Sequence, residues 1–245
     1  MSAVGPRRGA RESPDELRRD LTRQFVTATD AVTVHDWDIE LLRPRNFDDL
    51  INEADFVRDE RLPYWADLWP SSQILAAYLL ETTLPAGGHR PRLLELGCGL
   101  GLVTMAAMRT GYEVLATDYY DDALRFTRAN ASHALSREPA TRHVDWRRFP
   151  DDLAGYERVV AADVLYEKAN APLLSAAIAQ TLAPDGEAII ADPGRVAAPE
   201  FLAGLAGAGL IVTATETRAF DVGVVHQTIT IYRIANSGQR VTASD

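Results

Sequence analysis

The sequence predicts an α/β fold in which helices cover both faces of a mostly parallel sheet. From residue 92 onward, short apolar strands alternate with helix-length segments, and this alternation is typical of parallel sheets. The last two strand segments, 210–217 and 222–234, have no helix-length segment between them, so they should pair as an antiparallel hairpin. We therefore expect one large domain whose sheet is closed by an antiparallel last strand.

The apolar runs give the expected positions of the strands and helices. Buried strands are predicted at residues 93–96, 113–117, 144–146, 158–162 and 187–191. Helices are predicted between them at residues 102–110, 123–135, 171–182 and 199–207. A further helix over residues 74–80 precedes the first strand, and Ser71 and Ser72 are its expected N-terminal cap.

The chain before this region has a different pattern. Apolar residues at helical spacing predict a helix from Ser13-Pro14 to about Ala28. The β-prone segment 31–42 then predicts one or two extended pieces. These patterns divide the chain into a disordered tail at 1–13, an N-terminal extension at 14–62, the main domain at 63–235 and a C-terminal tail at 236–245.

The composition disfavours several classes of protein. There are 35 acidic and 25 basic residues, and the net charge of −10 disfavours nucleic acid as a partner and favours a neutral or cationic one. The longest apolar stretches fall far short of the ~20 residues that span a bilayer, so we expect a soluble, cytoplasmic protein without a membrane segment. The lone cysteine, Cys98, and five histidines without ligand-like spacing predict no disulfide and no metal site.

The segment Glu95-Leu-Gly-Cys-Gly-Leu-Gly101 places three glycines between the first strand and the first helix of the alternating region. Glycines let a ligand approach the backbone, and the helix N-terminus favours an anionic group such as a carboxylate. Position 102 is Leu where a dinucleotide-binding loop would carry its last glycine, which disfavours NAD without excluding it. The candidate cofactor residues in this loop are Glu95, Gly97, Gly99 and Gly101.

Acidic and aromatic residues follow the next two strands. Asp118 ends the second strand, where its carboxylate can accept hydrogen bonds from both hydroxyls of a ribose. Asp145 and Trp146 end the predicted third strand and could hold adenine, the carboxylate accepting from the amino group and the indole stacking on the ring. A buried structural residue is the alternative interpretation of Trp146. The remaining candidate cofactor residues are Trp69, Tyr119 and Ala162.

The fourth strand leads into Asp163 and Tyr166, and the sequence here resembles a known family. Asp163-Val-Leu-Tyr166 resembles the D-x-x-Y motif of the seven-strand protein-lysine methyltransferases often called methyltransferase family 16. Asp145-Trp146 and Trp69-Pro-Ser-Ser-Gln73 are also similar to the pattern of that family. The resemblance covers roughly residues 60 to 235.

The resemblance implies a Rossmann-like seven-strand fold, S-adenosylmethionine as cofactor and methyl transfer to a nitrogen atom. The acceptor would be a protein lysine, whose neutral amine costs about 4 kcal/mol to present near pH 7.4. A carboxylate is too weak a base to keep the proton of an amine, so Asp163 is expected to orient the acceptor and Tyr166 to wall its slot. Trp65 and Trp69 could cover the cofactor as a lid, or belong to the core.

Several functions stay open at this point. Pro63-Tyr-Trp-Ala66 and Ala191-Asp-Pro-Gly-Arg195 look most like the branch, with bacterial members, that methylates lysines of the electron-transfer flavoprotein β subunit. That resemblance implies a protein substrate, with this β subunit as the candidate. Related bacterial sequences are labelled predicted nicotinamide N-methyltransferases, so a small heteroaromatic acceptor is an alternative. The other two alternative functions are a cofactor-binding scaffold without catalysis and an NAD-dependent oxidoreductase.

Overall fold

A computed structural model describes residues 14–46, 50, 62–84 and 88–238 of the protein. The strands are β1 (Thr27–Val34), β2 (Trp37–Pro44), β3 (Arg92–Leu96), β4 (Glu113–Asp118), β5 (Ala140–His143), β6 (Tyr156–Ala162), β7 (Leu182–Asp192), β8 (Leu210–Val222) and β9 (Val225–Asn236). The α-helices are α1 (Pro14–Gln24), α2 (Pro70–Leu80), α3 (Leu102–Thr110), α4 (Asp121–Leu135), α5 (Asn170–Thr181) and α6 (Ala198–Gly204).

Seven strands form one sheet in the order β5-β4-β3-β6-β7-β9-β8. Neighbouring strands are parallel from β5 to β7, whereas β9 runs antiparallel to both β7 and β8. The predicted α/β fold, with its terminal hairpin and antiparallel last strand, is therefore confirmed. The order places β3 between β4 and β6, so the chain leaves β3 in one direction and later returns on its other side. Open α/β sheets bind ligands at such a switch point, beyond the carboxyl ends of the strands.

Helices cover both faces of the sheet because its central strands are apolar on both sides. Leu93 and Leu94 are both fully buried but belong to different clusters, since successive side chains of a strand point to opposite faces. The cluster that contains Leu93 also contains apolar residues of α2, α3 and α4. The cluster that contains Leu94 is completed by α5 and α6. None of the helices in the described part of the chain is long and apolar enough to cross a bilayer.

The N-terminal extension packs against the same core. Leu17 and Leu21 on α1 are fully buried, and Phe25 meets Phe126 of α4 edge-on at 5.5 Å between ring centroids. β1 and β2 form an antiparallel hairpin of their own. The buried side chain of Asn130 on α4 bonds both the backbone N–H and the carbonyl of Leu42 in β2, at 2.9 and 3.0 Å. The extension is thus joined to α4 by packing and by a buried amide.

Asn130 also reaches the glycine loop. Its Nδ2 donates to the carbonyl oxygen of Leu100 at 3.0 Å, in addition to its bonds with Leu42. Leaving these buried polar groups without partners would cost free energy of folding. The hydrogen bonds of Asn130 therefore hold the glycine loop, the β1–β2 hairpin and α4 together.

Two predicted boundaries are wrong for reasons of strand pairing. The third strand is β5, Ala140–His143, and not residues 144–146. β5 is an edge strand with the sequence Ala-Thr-Arg-His, and its residues are half-buried or exposed, so it contains no apolar run. The strand was predicted too late in the chain because the buried Val144 follows it. The first helix ends at Gln24 and not near Ala28, because Thr27 already pairs with β2.

The predicted serine cap of α2 is also wrong. The helix begins at Pro70 with Trp69 as its N-cap residue, and proline suits this first position because it has no N–H to satisfy. Ser72 donates to the carbonyl of Trp69 at 2.7 Å, but Ser71 bonds a distant residue described below. The predicted tail at 1–13, which includes the expected start of the first helix at Ser13, and residues 239–245 lie outside the described residues.

Candidate active site

A cavity opens at the switch point, beyond the carboxyl ends of β3, β4 and β6. Ten of the twelve residues proposed from the sequence line it: Trp69, Glu95, Gly97, Gly99, Asp118, Tyr119, Trp146, Ala162, Asp163 and Tyr166. Gly101 and Asp145 are the two described candidates that do not. The geometry thus brings together residues from five separate parts of the chain.

The glycine loop is bent by three glycines in the left-handed region. Gly97, Gly99 and Gly101 have φ values of 83°, 52° and 86°. A side chain on Gly99 would meet the backbone oxygen of Trp65 at 3.2 Å, and one on Gly101 would meet Thr127 at 2.8 Å. Gly101 therefore serves the packing of the loop against α4, while Gly97 and Gly99 face the cavity.

Asp118 holds the loop in this conformation. Its Oδ2 accepts from the N–H of Gly99 at 2.9 Å, and its Oδ1 accepts from the N–H of Tyr120 at 3.0 Å. Burial raises the pKa of this carboxyl group, and the two backbone N–H groups oppose that shift. The carboxylate thus sits at the cavity wall, already oriented by the backbone of the residues around it.

Glu95 is a buried acid in the same wall. Its side chain is only 2% exposed, and the hydroxyl of Thr104 donates to Oε2. Burial raises its pKa to about 8. Cys98 beside it is also buried, and burial raises the pKa of its thiol well above the usual value, so this cysteine is a packing residue and not a nucleophile.

The aromatic part of the cavity lies beyond β5. Trp146 is half-buried and begins a short 3₁₀ helix, Trp146–Arg148, directly after Asp145. The carboxylate of Asp145 accepts from Nε of Arg147 at 2.9 Å and from its backbone N–H at 3.0 Å, so it caps this turn. Tyr119 lines the cavity as well, with the guanidinium carbon of Arg147 5.4 Å from its ring centroid.

Asp163 occupies a strained position at the end of β6. Its φ is 60°, a left-handed conformation that is uncommon for a residue other than glycine. Its Oδ1 accepts from Nε of Arg195 at 2.5 Å, and its Oδ2 accepts from the hydroxyl of Ser71 at 3.0 Å. Asp192 in turn accepts from the backbone N–H of Arg195 at 2.7 Å, which fixes the turn that carries the guanidinium.

A second cavity of about 260 Å³ adjoins the first. It is lined by Tyr64, Trp69, Asp163, Tyr166, Arg195 and Val196. The first four of these residues also line the first cavity, so the two spaces meet there. The rings of Tyr64 and Tyr166 lie 4.7 Å apart between centroids, and Nε1 of Trp69 donates to the carbonyl of Tyr64 at 2.8 Å. We call this junction the passage; three aromatic rings and one carboxylate line it.

Sequence reasoning missed three members of this arrangement. Tyr64 stands in the aromatic segment before α2 but received no role, although its clustering with tryptophans was a visible signal. Ser71 was assigned to a helix cap, and its partner Asp163 lies 92 residues further along the chain. Asn130 carries no local signal at all. The two lid candidates differ: both line the first cavity, but Trp65 is 8% exposed and packs in the core, whereas Trp69 also lines the second cavity.

The fold has been seen in solved structures. Magnesium protoporphyrin IX methyltransferase from Synechocystis PCC 6803, solved with bound S-adenosylmethionine, superimposes with a TM-score of 0.53 at 18% identity, over 76% of this chain and 93% of that one. A likeness at this identity concerns the fold. The sheet order, with the cavity beyond the glycine loop, defines the class by its fold: the seven-strand, Rossmann-like fold of this methyltransferase.

Within this class, the chain belongs to the lysine methyltransferase family, whose pattern matches residues 32–203. The electron transfer flavoprotein beta subunit lysine methyltransferase of Danio rerio is 32% identical over 136 residues, covering 54% of this chain and 51% of that protein. Protein-lysine methyltransferase METTL21E of Bos taurus is 30% identical over 116 residues, covering 42% and 38%. The chain thus matches about half the length, or less, of these curated relatives. The family resemblance inferred from the D-x-x-Y motif is confirmed.

Proposed function

We propose that the protein transfers the methyl group of S-adenosylmethionine to the side-chain amine of a lysine in another protein. The observation that carries this proposal is the meeting of the two cavities at Tyr64, Trp69, Asp163 and Tyr166. A cofactor in the first cavity and an acceptor in the second would touch at this junction. Transfer reactions require such contact, because holding both reactants in line can supply ~7 to 11 kcal/mol of the barrier.

The first cavity suits the three parts of the cofactor. The glycine loop, with the N-terminus of α3 behind it, would take the methionine carboxylate. Asp118 would accept hydrogen bonds from the ribose hydroxyls. Trp146 and Tyr119 would contact adenine, and Asp145 would reach its amino group only by exchanging its pair with Arg147. Glu95 would face the cationic end of the methionine part.

The reaction itself needs little from the protein beyond position. The lone pair of the lysine nitrogen attacks the methyl carbon, the carbon–sulfur bond breaks with its electrons going to sulfur, and S-adenosylhomocysteine leaves. The amine must be neutral to attack, so the extra proton of its ammonium form passes to solvent before transfer, and the positively charged methylated product can lose a proton to solvent afterwards. Asp163 would accept a hydrogen bond from the amine and aim it, while the rings of Tyr64, Trp69 and Tyr166 attract a cationic nitrogen and exclude water.

The passage also favours a long, thin side chain. A lysine can lay its four methylene groups along the aromatic rings that line the second cavity and present only its terminal nitrogen to the methyl group. A flat heteroaromatic ring such as nicotinamide would stack on the same tyrosines, and it is the second candidate acceptor. Because two curated relatives are named as protein-lysine methyltransferases, we favour the lysine. The electron-transfer flavoprotein β subunit is the first protein to test, since it appears in the name of one relative.

The proposal is tested by incubating the purified enzyme with tritiated S-adenosylmethionine and a lysate of its source organism. Macromolecular label is then separated from small-molecule label, with heat-inactivated enzyme as the control. A labelled protein band supports lysine methylation. Label confined to small molecules points to a nicotinamide-like acceptor, and cofactor binding without transfer to any component points to a scaffold.

A further inference from the structure

Exposed apolar side chains are concentrated at one edge of the sheet. Seven large apolar residues are exposed in the described part of the chain. Five of them, Tyr166, Val196, Val222, Val224 and Val225, belong to segments beyond the carboxyl ends of β6, β7 and β8. This is the edge at which both cavities open. Exposed apolar groups that cluster beside a binding site mark a contact surface more often than scattered ones do.

The hairpin of β8 and β9 carries three of these residues past the end of the sheet. The last residue of β7, Asp192, pairs with Thr230, so the part of β9 before Thr230 extends beyond β7. Five further pairs follow, from Arg218 with Ile229 to Val222 with Val225. At ~3.4 Å per residue the tip reaches about 17 Å beyond the carboxyl end of β7. The hairpin therefore projects past the end of the sheet at which both cavities open.

The stem of this hairpin is fixed, while its tip is presented to solvent. Arg218 donates to both carboxylate oxygens of Glu81 at 2.9 and 2.8 Å and lies over the ring of Tyr78. Phe220 and Ile229 are buried in the core cluster that contains α2. Beyond them the exposure rises to 94% at Val224, in the turn. Because the stem is fixed, the hairpin would lose less conformational entropy when a partner binds its tip.

We propose that the hairpin tip, defined as Val222, Val224 and Val225, together with Val196 forms a docking surface for the protein that carries the acceptor lysine. This inference rests on the proposed function. Val196 lines the acceptor cavity, so a surface that contacts the tip and Val196 also covers the entrance of the passage. The partner would offer an apolar patch near a lysine that projects into the passage.

The charge of the chain supports a protein partner of this kind. Its net charge of −10 favours a neutral or basic surface around the target lysine and repels an anionic lipid headgroup. A small acceptor would be enclosed by the passage and would have no use for a hairpin that extends far beyond it. The docking surface therefore separates a protein substrate from a small one.

The test compares two sets of substitutions that keep the β-branched shape. The tip variant carries Val222→Thr, Val224→Thr and Val225→Thr. The control variant carries Val212→Thr, which changes an exposed valine on β8 that pairs with Ile234, toward the opposite end of the strand. The substrates are the protein that the wild-type enzyme labels in lysate, purified, and a short synthetic peptide that contains its methylated lysine.

We expect the tip variant to raise KM for the intact protein about tenfold, with kcat, cofactor affinity and peptide methylation unchanged. The control variant should match the wild type on both substrates. Unchanged KM for the protein, or an equal loss on protein and peptide, would overturn the docking surface while leaving the proposed function intact. A shift from dimer to monomer in the tip variant on sedimentation would instead show a self-association surface and also overturn the proposal. If the wild type labels no protein, the proposed function fails first and the docking surface falls with it.

Discussion

Nε of Arg195 donates to Oδ1 of Asp163 at 2.5 Å, at the point where the two cavities of the active site meet. The side chain of Asp163 is only 1% exposed, and that of Arg195 is 29% exposed. Ser71 holds the other carboxylate oxygen, and Asp192 holds the backbone of Arg195. The carboxylate is thus fixed on both sides before any acceptor arrives, and this order is the basis of its proposed role in aiming the amine.

Asp163→Asn should lower turnover about 100-fold, because the acceptor amine would lose its charged partner and a misplaced reactant costs about this factor. Asparagine has the same shape and tolerates the left-handed backbone at this position, so the fold should be kept. Cofactor affinity, measured by calorimetry, should change less than turnover. Ser71→Ala is the milder control, since it removes one neutral hydrogen bond. Wild-type turnover in the asparagine variant would contradict the role assigned to Asp163.

Arg195→Met should reduce kcat roughly tenfold or more, because Asp163 would lose its orienting partner. Arg195→Lys keeps the charge but not the planar fork of donors, and it should recover part of the loss. The pH profile of kcat/KM distinguishes positioning from a purely structural effect, since the methionine variant should shift that profile and the lysine variant should not. Equal kcat and identical profiles in all three enzymes would exclude the positioning role.

Asp118→Asn should weaken cofactor binding by roughly 10 to 100-fold, because charge-assisted hydrogen bonds contribute about 1.5 to 3 kcal/mol. Both its carboxylate oxygens also hold backbone N–H groups of the loop, so the loop itself would loosen. Asp121→Asn is the matched control: this exposed carboxylate at the start of α4 pairs only with the exposed His143 in the contacts described. Similar cofactor affinities for the two variants would rule out a direct role of Asp118.

Glu95 should make the cofactor-free protein less stable as pH rises. Its pKa in the folded state is about 8, well above the ordinary value of 4.5. Between these values the folded state binds more protons than the unfolded state, so the free energy of unfolding falls with pH, by at most about 1.4 kcal/mol per pH unit from this one group. Glu95→Gln keeps an acceptor for Thr104 and removes the titration.

Urea unfolding from pH 5 to about pH 9.5 checks this prediction. The stability of the wild type relative to Glu95→Gln should decline across the window and level off above the folded pKa. Burial also raises the pKa values of Asp118 and Asp192. Both groups titrate in both proteins, so their contributions to the pH dependence cancel in the difference between the two stabilities. Parallel profiles for the two proteins would show that Glu95 is already ionised in the folded state.

Gly101→Ala should destabilise the protein by about 1 to 3 kcal/mol, the usual cost of overpacking. Its φ is 86°, and the added carbon would lie 2.8 Å from Thr127. Gly209→Ala separates the two causes, since φ is 74° there but no atom lies within 4 Å of the added carbon. Thermal unfolding should therefore show a larger loss for Gly101→Ala. Equal losses would mean that backbone strain alone decides.

The fold and most of the residues that line the first cavity were predictable because they follow from local sequence patterns. Alternating apolar strands and helices require a parallel sheet, and the carboxyl ends of parallel strands meet at one edge. Residues at or just after the carboxyl ends of those strands, such as Glu95, Asp118 and Asp163, were therefore expected to come together, and all three line the cavity.

The remaining features depend on tertiary partners that a local pattern does not contain. Ser71 looks like a helix cap until Asp163 is placed beside it. Asp145 looks free to bind a ligand, but Arg147 two residues later takes its carboxylate. β5 is polar because it lies at the sheet edge, so hydrophobic periodicity could not find it. Asn130 joins two distant segments through backbone groups that leave no trace in their sequences.

The central claim is that a methyl group passes from a cofactor in the first cavity to a lysine amine in the second. It is tested most directly by incubating wild-type enzyme and Asp163→Asn with S-adenosylmethionine that carries a deuterated methyl group, together with the lysate. Protein from both reactions is digested and mapped by mass spectrometry. The account predicts deuterated methyl on defined lysine side chains with the wild type and a strong reduction with the variant. Deuterated methyl found only in small molecules, or equal lysine labelling by both enzymes, would contradict it.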